Sequence, residues 1–224
     1  MTEPTREAAA KPADYYRHTR KEMLPFFPAS VAKVLDIGCG NGRFGELLKV
    51  SFPGVQVWGV EPVAEAHAVA ASVLDRALLG GFDASMALPE NFFDVIVFND
   101  SLEHFPDHVP VLQLAVRLLK PGGAIVASIP NIRYWPHVQQ YLFEADWRYE
   151  SQGVLDRTHL RFFTRRSILR DFAAAGLDVQ QIGGINGCWL SWKFRLLRAL
   201  MPGLMNDMPY QQFALRAVKP MGLQ

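Results

Sequence analysis

The amino-acid sequence predicts an α/β fold, in which helices on both faces cover a doubly wound, mostly parallel sheet of seven strands. From Lys33 onward, short apolar runs alternate with amphipathic stretches, a pattern typical of parallel strands joined by helices. Half of the 224 residues are hydrophobic, which is enough to bury a sizeable core. We therefore expect an N-terminal arm and helix over 1–30, followed by a single domain over 31–224.

The first part of the chain contains five predicted strands and four predicted helices. A short helix over 14–23 follows a polar arm, with Asp14 as its cap and Pro25 beyond its end. The strands are 33–37, 55–60, 77–79, 93–99 and 123–129. The remaining helices lie near 43–51, 63–74 and 108–119.

The rhythm changes after Pro130. Residues 131–163 are aromatic and rich in arginine, and they form a predicted insertion. The alternation then resumes with a helix at 165–175, which Thr164 can cap and Gly176 can end. A strand at 177–182, an added helix within 189–201 and a last strand at 212–218 complete the prediction. The order of the strands in the sheet does not follow from these patterns.

Composition narrows the class of protein. The net charge of +1 argues against a general polyanion-binding protein, and no nucleic-acid partner is expected. Cys39 and Cys188 are the two cysteines, and their spacing does not resemble a disulfide framework or a zinc site. The polar N-terminus lacks a signal peptide, and no apolar run has membrane-spanning length. The predicted location is therefore the cytoplasm.

The charges are unevenly distributed along the chain. Residues 1–147 carry 12 basic and 17 acidic residues, whereas residues 148–224 carry 11 basic and 5 acidic ones. A basic segment beside a site could attract a phosphate-bearing substrate or an anionic membrane surface. A solvated face with many arginines would show the same composition.

A glycine-rich segment follows the first strand. Gly38, Gly40 and Gly42 lie in the turn between this strand and a helix, where bare backbone can approach a ligand closely and offer free amide groups. Glu61 ends the second strand, 23 positions after Gly38, where an acid can accept hydrogen bonds from ribose hydroxyls. These residues predict a site for a nucleoside-containing cofactor. The glycines also satisfy the dinucleotide fingerprint G-x-G-x-x-G, which by itself is weak.

The segment Val34–Gly45 resembles motif I of the class I S-adenosylmethionine-dependent methyltransferases, in which an acid precedes G-x-G-x-G after a hydrophobic strand. Asp36, Gly38, Gly40 and Gly42 match this motif position by position, with Cys39 between the first two glycines. The resemblance extends over about Lys33 to Val218 and implies a Rossmann-like fold. It also implies S-adenosyl-L-methionine as the cofactor.

Later segments match the family in the expected order. By resemblance, Glu61 is the ribose-binding acid, and Asp83 with Ala84 corresponds to the adenine contact. The stretch 93–104 resembles motif IV, which implies that Asn99 lies at the cofactor. Leu118–Gly123 resembles the turn before the fifth strand, where the glycines are turn residues.

The family transfers a methyl group by direct displacement, and alignment of the reacting atoms can supply much of the acceleration. A hydroxyl acceptor also benefits from a base. His104 follows the fourth strand, and His159 lies in the segment that often reaches the acceptor in related enzymes. Both are catalytic candidates, because imidazole accepts protons at neutral pH. Packing or capping by His104, and a salt-bridged loop around His159, are the structural alternatives.

The predicted insertion 131–163 supplies the acceptor-site candidates. Asn131, Arg133 and Tyr134 enter just after the fifth strand, at the edge where open α/β sheets bind ligands. Asp156 could orient His159, while Arg157 and Arg161 could bind an acidic or phosphorylated acceptor. The insertion resembles bacterial small-molecule and polysaccharide-associated O-methyltransferases, which implies O-methylation of a polar small molecule or glycan precursor.

Two further features allow more than one interpretation. Asp100, Glu103 and His104 offer metal-ligating groups, but no ligand from elsewhere is identifiable, so no metal is expected. The helix within 189–201 is rich in tryptophan, leucine and arginine. It could lie at a membrane surface, cover the acceptor pocket or form a homodimer contact, and the last two are favoured.

Three other functions stay open on the sequence. N-methylation would use the same cofactor site. The overlapping glycine fingerprint also allows an NAD-dependent oxidoreductase, although no separate catalytic domain is evident. The non-enzymatic alternative is a partner subunit that binds the cofactor without catalysing a reaction.

Overall fold

The structure is a computed structural model that describes residues 19–189 and 191–222. Within these residues seven strands form one sheet. They are β1 (Lys33–Ile37), β2 (Gln56–Glu61), β3 (Arg76–Leu79), β4 (Phe93–Asn99), β5 (Leu119–Pro130), β6 (Asp178–Gly187) and β7 (Tyr210–Val218). The predicted α/β fold and all seven predicted strands are confirmed.

The strand order is β3-β2-β1-β4-β5-β7-β6. Strands β1 to β5 pair in parallel, whereas β7 runs antiparallel to both β5 and β6. The chain moves from β1 towards one edge of the sheet and from β4 towards the other. This reversal opens a crevice at the carboxyl ends of β1 and β4, which is where open α/β sheets bind ligands.

Helices cover the sheet and connect its strands. They are α1 (Arg43–Ser51), α2 (Ala64–Val73), α3 (His108–Leu118), α4 (Trp135–Gln139), α5 (Arg165–Ala174), α6 (Trp192–Leu200) and α7 (Pro202–Met205). The predicted helix boundaries agree within about two residues, the usual uncertainty of helix ends. The predicted cap of α5 is confirmed, because Thr164 accepts a hydrogen bond from the amide of Ser167 at 3.2 Å.

The core lies on both faces of the sheet. In β4, Ile96 and Phe98 pack on one face with α3 and α5, while Val95 and Val97 pack on the other with α1. Strands buried on both faces read as continuous apolar runs rather than as an alternation. The apolar sequence of β4 therefore identifies it as a central strand.

Three predicted boundaries were wrong. Strand β6 continues to Gly187 rather than ending at 182, because its pairing with β7 extends to Tyr210. Residues 14–18 of the predicted N-terminal helix lie outside the described residues, and the described part forms a 3-10 helix, Lys21–Phe26, that runs through Pro25 instead of ending before it. Proline lacks a hydrogen-bond donor but fits helical backbone angles in a short turn. Strand β5 begins at Leu119 rather than at 123, because Leu119 already pairs with Phe93 across a register shift.

The segment between β5 and α5 contains little regular structure. Helix α4 continues into a π-helical turn, Gln140–Glu144, and the segment closes where Asn131 bridges to Phe163. None of the helices in the described part of the chain is long and apolar enough to cross a membrane.

Candidate functional site

A cavity of about 450 Å³ opens at the carboxyl ends of β1 and β4. Its size is within the range of small-molecule sites. Five of the residues predicted to bind a cofactor line it, namely Asp36, Gly38, Cys39, Gly40 and Asn99. The reversal of strand order thus places the glycine loop beside the end of β4.

The glycine loop needs a backbone that only glycine adopts without strain. Gly38, Gly40 and Gly42 have φ angles of 75°, 53° and 77°, in the left-handed region. The amides of Gly38 and Cys39 both donate to the carbonyl of Val60, at 2.8 and 3.1 Å. A Cβ at Gly38 would lie 3.0 Å from the Cβ of Ser101. The loop therefore passes close to the segment after β4, and a side chain at Gly38 would push the two apart.

The Glu61 side chain is hydrogen-bonded to the backbone of the glycine loop. Its carboxylate accepts the amide hydrogens of Gly40 at 2.8 Å and Val63 at 2.9 Å, and the residue is only 4% exposed. Burial raises the pKa of Glu61, against the effect of these two hydrogen bonds. Each carboxylate oxygen has capacity for a further donor, so the group can still accept hydrogen bonds from ribose hydroxyls.

Two polar groups beside the loop lack partners within the described chain. One carboxylate oxygen of Asp36 and both polar atoms of the Asn99 amide are buried without a hydrogen bond. Burial, and secondarily the Glu61 carboxylate, raises the pKa of Asp36 to about 7. Unpartnered buried groups are costly unless a ligand or water satisfies them. The residues present therefore fit a polar ligand such as S-adenosylmethionine.

Cys39 has a packing role in the loop. It is 7% exposed, and a Cβ at Gly59 would come 2.5 Å from its sulfur. Burial raises the pKa of the Cys39 thiol far above its ordinary value. The thiol is therefore unreactive, and the residue contributes its backbone to the cavity.

Asp83 and Ala84 lie on an exposed loop after β3 and do not line the cavity. The Asp83 carboxylate accepts hydrogen bonds from the amide and hydroxyl of Ser85, and the hydroxyl contact lowers its pKa. These bonds stabilise the loop. The proposed adenine contact thus remains an inference from resemblance.

Several lining residues were missed in the sequence analysis. They are Arg20, Arg43, Phe44, Asp100, Glu150, Gln152, Gly153 and Gln211. Arg20 pairs with Asp100 and with Glu22. The sequence analysis considered Asp100, which directly follows β4, as a possible metal ligand and gave it no other role. Arg20 and Gln211 carry no motif, and no pattern in the sequence could have identified them.

A smaller cavity of about 70 Å³ adjoins the first. The two share Asp100, Gly153 and Gln211. Asp100 has a φ of 50° and accepts hydrogen bonds from the Ser128 hydroxyl at 3.0 Å and the Gln212 amide at 2.6 Å. This strained, well-anchored residue marks the junction of the cavities.

The smaller cavity is lined by Glu103, Asp156 and His159 in addition to the shared residues. His159 is 8% exposed, and burial, then the neighbouring His104, lowers its pKa to about 4. Its Nδ1 lies 3.0 Å from the carbonyl of Val154. Because a carbonyl only accepts, the neutral ring carries its proton on Nδ1 and leaves Nε2 as an acceptor.

His104 lies against His159, with ring centroids 4.9 Å apart. Its Nδ1 is 3.1 Å from the carbonyl of Thr158, so the same argument places a proton there. His159 is among the residues that line the two cavities, whereas His104 is not. The structure thus brings the two predicted histidines together but puts only one of them at a cavity.

Glu103 is the buried acid of this cluster. It is fully buried, neither carboxylate oxygen has a hydrogen bond within the described chain, and His159 Nε2 is 3.7 Å away. Burial, and then Asp100, raises its pKa well above the ordinary value. Ligand atoms of Glu103, His104 and His159 lie within 4.8 Å of one another. Two imidazoles and a carboxylate could hold a divalent cation, a combination the sequence analysis did not assemble.

The predicted acceptor-binding residues after β5 are engaged within the chain. Asn131 is fully buried, and its amide donates to the carbonyls of Asp207 at 2.8 Å and Tyr210 at 2.9 Å. Arg133 pairs with Asp207 and donates to the carbonyl of Leu204. These contacts join the end of β5 to the start of β7.

The remaining acceptor-site candidates, which are Tyr134, Asp156, Arg157 and Arg161, do not lie together in one site. Burial raises the pKa of Tyr134 to about 12. Asp156 caps its own turn, accepting from the amide of Thr158 at 2.9 Å, and lines the smaller cavity. Arg161 donates to the carbonyl of Pro106, and Arg157 is exposed. The residues that line the two cavities thus include five carboxylates and four side-chain amides, and Arg20 and Arg43 are the arginines among them.

Comparison with known proteins agrees with this site. A family model described as a methyltransferase domain matches residues 8–182. The ubiquinone biosynthesis O-methyltransferase of Thiobacillus denitrificans is 30% identical over 179 residues, covering 75% of this chain and 74% of that protein. The same enzyme from Aeromonas salmonicida is 29% identical, covering 73% and 70%. A trans-aconitate 2-methyltransferase from Streptomyces avermitilis is 28% identical over 54% of this chain and 50% of that protein.

Solved structures show the same architecture. A SAM-dependent methyltransferase from Archaeoglobus fulgidus superposes with a TM-score of 0.67 at 20% identity, covering 92% of this chain and 97% of that one. A complex of a Haloferax volcanii methyltransferase with its Trm112 activator gives the same TM-score at 18% identity, covering 96% and 94%. Together with the glycine loop, Glu61 and the cavity between them and β4, the family match shows that this chain belongs to the S-adenosylmethionine-dependent methyltransferases.

Proposed function

We propose that this methyltransferase methylates a hydroxyl group of a polar small molecule or glycan precursor by direct displacement. The observation that carries the proposal is the junction of the two cavities at Asp100, which leads from the glycine loop to Glu103 and His159. The relatives named as O-methyltransferases support an oxygen acceptor. The methyltransferase assignment replaces the NAD-dependent alternative, whose fingerprint the same glycines satisfied.

S-adenosylmethionine supplies a methyl group on a positively charged sulfonium, which is open to attack by a nucleophile. The glycine-loop amides, Asp36, Glu61 and Asn99 are the groups that would hold it in the larger cavity. The Asp36 carboxylate would favour the positive charge. A fixed cofactor and a fitted acceptor supply most of the acceleration by orientation.

His159 is the proposed proton acceptor for the hydroxyl. Its Nε2 carries the free lone pair and lies at the smaller cavity, while Nδ1 is held by the Val154 carbonyl. Glu103, whose carboxyl oxygen lies 3.7 Å from Nε2, is the proposed hydrogen-bond partner of the imidazolium formed when the proton arrives. His104 packs against the His159 ring, and its proposed role is to position that ring.

A screen for methyl transfer tests this function. Purified protein is incubated with radiolabelled S-adenosylmethionine and with sugar nucleotides, lipid-linked glycans, catechols or amines. We expect transfer to a hydroxyl acceptor. Labelling of an amine instead would contradict O-methylation and identify an N-methyltransferase. Intact cofactor binding with no transfer to any acceptor in a cell extract would support a non-catalytic partner subunit.

Two substitutions then test the roles of the histidines. His159→Gln should lower kcat by about 100-fold or more, because general-base catalysis typically contributes that much. His104→Gln should have a smaller effect, because His104 is proposed to position the His159 ring and not to accept the proton. His108→Gln, on α3 and lining neither cavity, is the control. A full rate in His159→Gln would remove the imidazole from the mechanism.

A further inference from the structure

The exposed apolar side chains are concentrated in one part of the chain. Among the described residues, 18 large hydrophobic side chains are exposed, and 14 of them lie between Tyr141 and Leu204. Exposed hydrophobic residues scattered singly need no explanation, whereas a contiguous patch marks an interaction site. Seven of the fourteen lie between Trp189 and Leu204, on and beside α6.

Helix α6 is apolar on its outer as well as its inner face. Phe194 faces inwards, 3% exposed, with its ring 4.7 Å from that of Trp135 on α4. Trp192, Leu196 and Leu200 follow one another at four-residue spacing and are 70%, 55% and 72% exposed. Residues four apart share one side of a helix. Phe194 thus fixes α6 to the protein, and the stripe of three faces outwards.

Residues before and after α6 in the chain are also exposed and apolar. Trp189 precedes α6 and is fully exposed, and Leu204 on α7 is 51% exposed. Beyond Trp135, α4 runs into the π-helical turn, where Leu142 and Phe143 are 59% and 73% exposed. We call the set Trp189, Trp192, Leu196, Leu200 and Leu204 the α6 surface.

The charged residues within the segment that carries the α6 surface are all basic. Between Cys188 and Asn206 the sequence contains three basic residues, Lys193, Arg195 and Arg198, and no acidic residue. Tryptophan and leucine interspersed with basic residues suit the boundary between lipid headgroups and acyl chains. Anionic headgroups would also neutralise the positive charge. We propose that the α6 surface docks the protein on the surface of an anionic phospholipid bilayer.

A second copy of the chain fits this surface less well. A two-fold symmetric dimer places the same segment of each subunit against the other. The three basic residues would then be brought next to three more, with no acid in 188–206 to pair with them. Like charges in an interface cost several kcal/mol. An anionic bilayer can bury the apolar stripe and also neutralise the positive charge.

Vesicle flotation with the full chain tests the proposal. We expect the protein to float with vesicles of phosphatidylcholine containing about 30% phosphatidylglycerol, and much less with phosphatidylcholine alone, because basic residues add affinity for anionic lipid. Raising salt to about 0.5 M should release most of it. Absence of binding to the anionic vesicles would overturn the proposal.

Matched variants locate the contact. Leu196→Ser with Leu200→Ser should weaken binding by roughly tenfold for each leucine. Arg195→Glu with Arg198→Glu should abolish the preference for anionic lipid. Val50→Ser with Val69→Ser is the control, since these exposed residues lie on α1 and α2. Cofactor binding is measured for every variant to confirm folding. Equal vesicle binding by the leucine pair and the control pair would contradict the assignment.

Two measurements separate a membrane from a second copy. Lipids with brominated acyl chains should quench tryptophan fluorescence, and Trp189→Phe should float as before but be quenched less. Light scattering after gel filtration gives the oligomeric state. A dimer that the leucine pair converts to a monomer would assign the α6 surface to a second copy and overturn the proposal.

Discussion

Asp36 and Glu61 place two carboxylates beneath the glycine loop. Both are almost completely buried, at 2% and 4% exposure. Glu61 is held by two backbone amides, whereas one oxygen of Asp36 has no partner within the described chain. The two acids therefore differ in environment although they are neighbours. The less well satisfied one, Asp36, is the natural contact for a positively charged ligand.

The raised pKa of Asp36 predicts a particular dependence of stability on pH. Its pKa is about 7 in the folded protein and near the ordinary aspartate value of 3.8 in the unfolded chain. Between these values the folded state binds the proton that the unfolded state releases, so the free energy of unfolding falls as pH rises. The loss attributable to Asp36 is at most about 4 kcal/mol between pH 4 and pH 7.

Asp36→Asn should remove this part of the pH dependence. Urea unfolding of the cofactor-free protein at about pH 5 and pH 7.5 measures it. We expect the decrease in unfolding free energy between the two pH values to be smaller in the variant than in the wild type. Curves that stay parallel for the two proteins would show that Asp36 ionises normally.

Asn131 shows how one residue connects two elements. It stands at the end of β5, and its amide reaches the carbonyls of Asp207 and Tyr210 at the start of β7. Its side-chain oxygen accepts the amide hydrogen of Arg133 at 3.0 Å. The antiparallel pairing of β5 with β7 ends beside this network, with Pro130 opposite Gln212. Asn131 thus fixes the direction in which the chain leaves the sheet.

Asn131→Ala should destabilise the protein by about 2 to 3 kcal/mol, because it leaves buried backbone groups without partners. Urea unfolding measures the change, with Gln139→Ala on the exposed side of α4 as the control. If the variant kept its stability but lost methyl transfer, the structural role would be refuted. The result would instead support the acceptor-binding role that the sequence predicted for Asn131.

The whole molecule should be stabilised by its cofactor. A ligand that binds only the folded state adds about 2.7 kcal/mol at 100 times its Kd. For a chain of this length that corresponds to a rise in Tm of about 5 to 10 °C. S-adenosylmethionine should produce this shift in a thermal unfolding experiment, and NADH should not. A shift with NADH alone would be incompatible with the proposed cofactor site.

Much of the lining of the larger cavity was predictable. The strand, the glycine turn and Glu61 lie close together in the chain, so periodicity and one spacing identify them. Arg20, Gly153 and Gln211 line the same cavity but come from segments far apart in the sequence. No periodic signal relates such segments, and their meeting depends on the strand order, which the sequence patterns left undetermined.

The apolar periodicity of the chain sufficed to predict seven strands and the helices between them, and its glycines predicted the turn after β1, because these features depend on near neighbours in the sequence. Packing across the molecule decided the rest. This packing joins the two cavities at Asp100 and places His159, rather than His104, at the smaller cavity. It also directs the Asn131 side chain into the protein, towards the carbonyl of Asp207. It also left the outer side of α6 exposed. Amphipathic sequence shows that a face is apolar, but only the complete fold shows whether another part of the chain covers it.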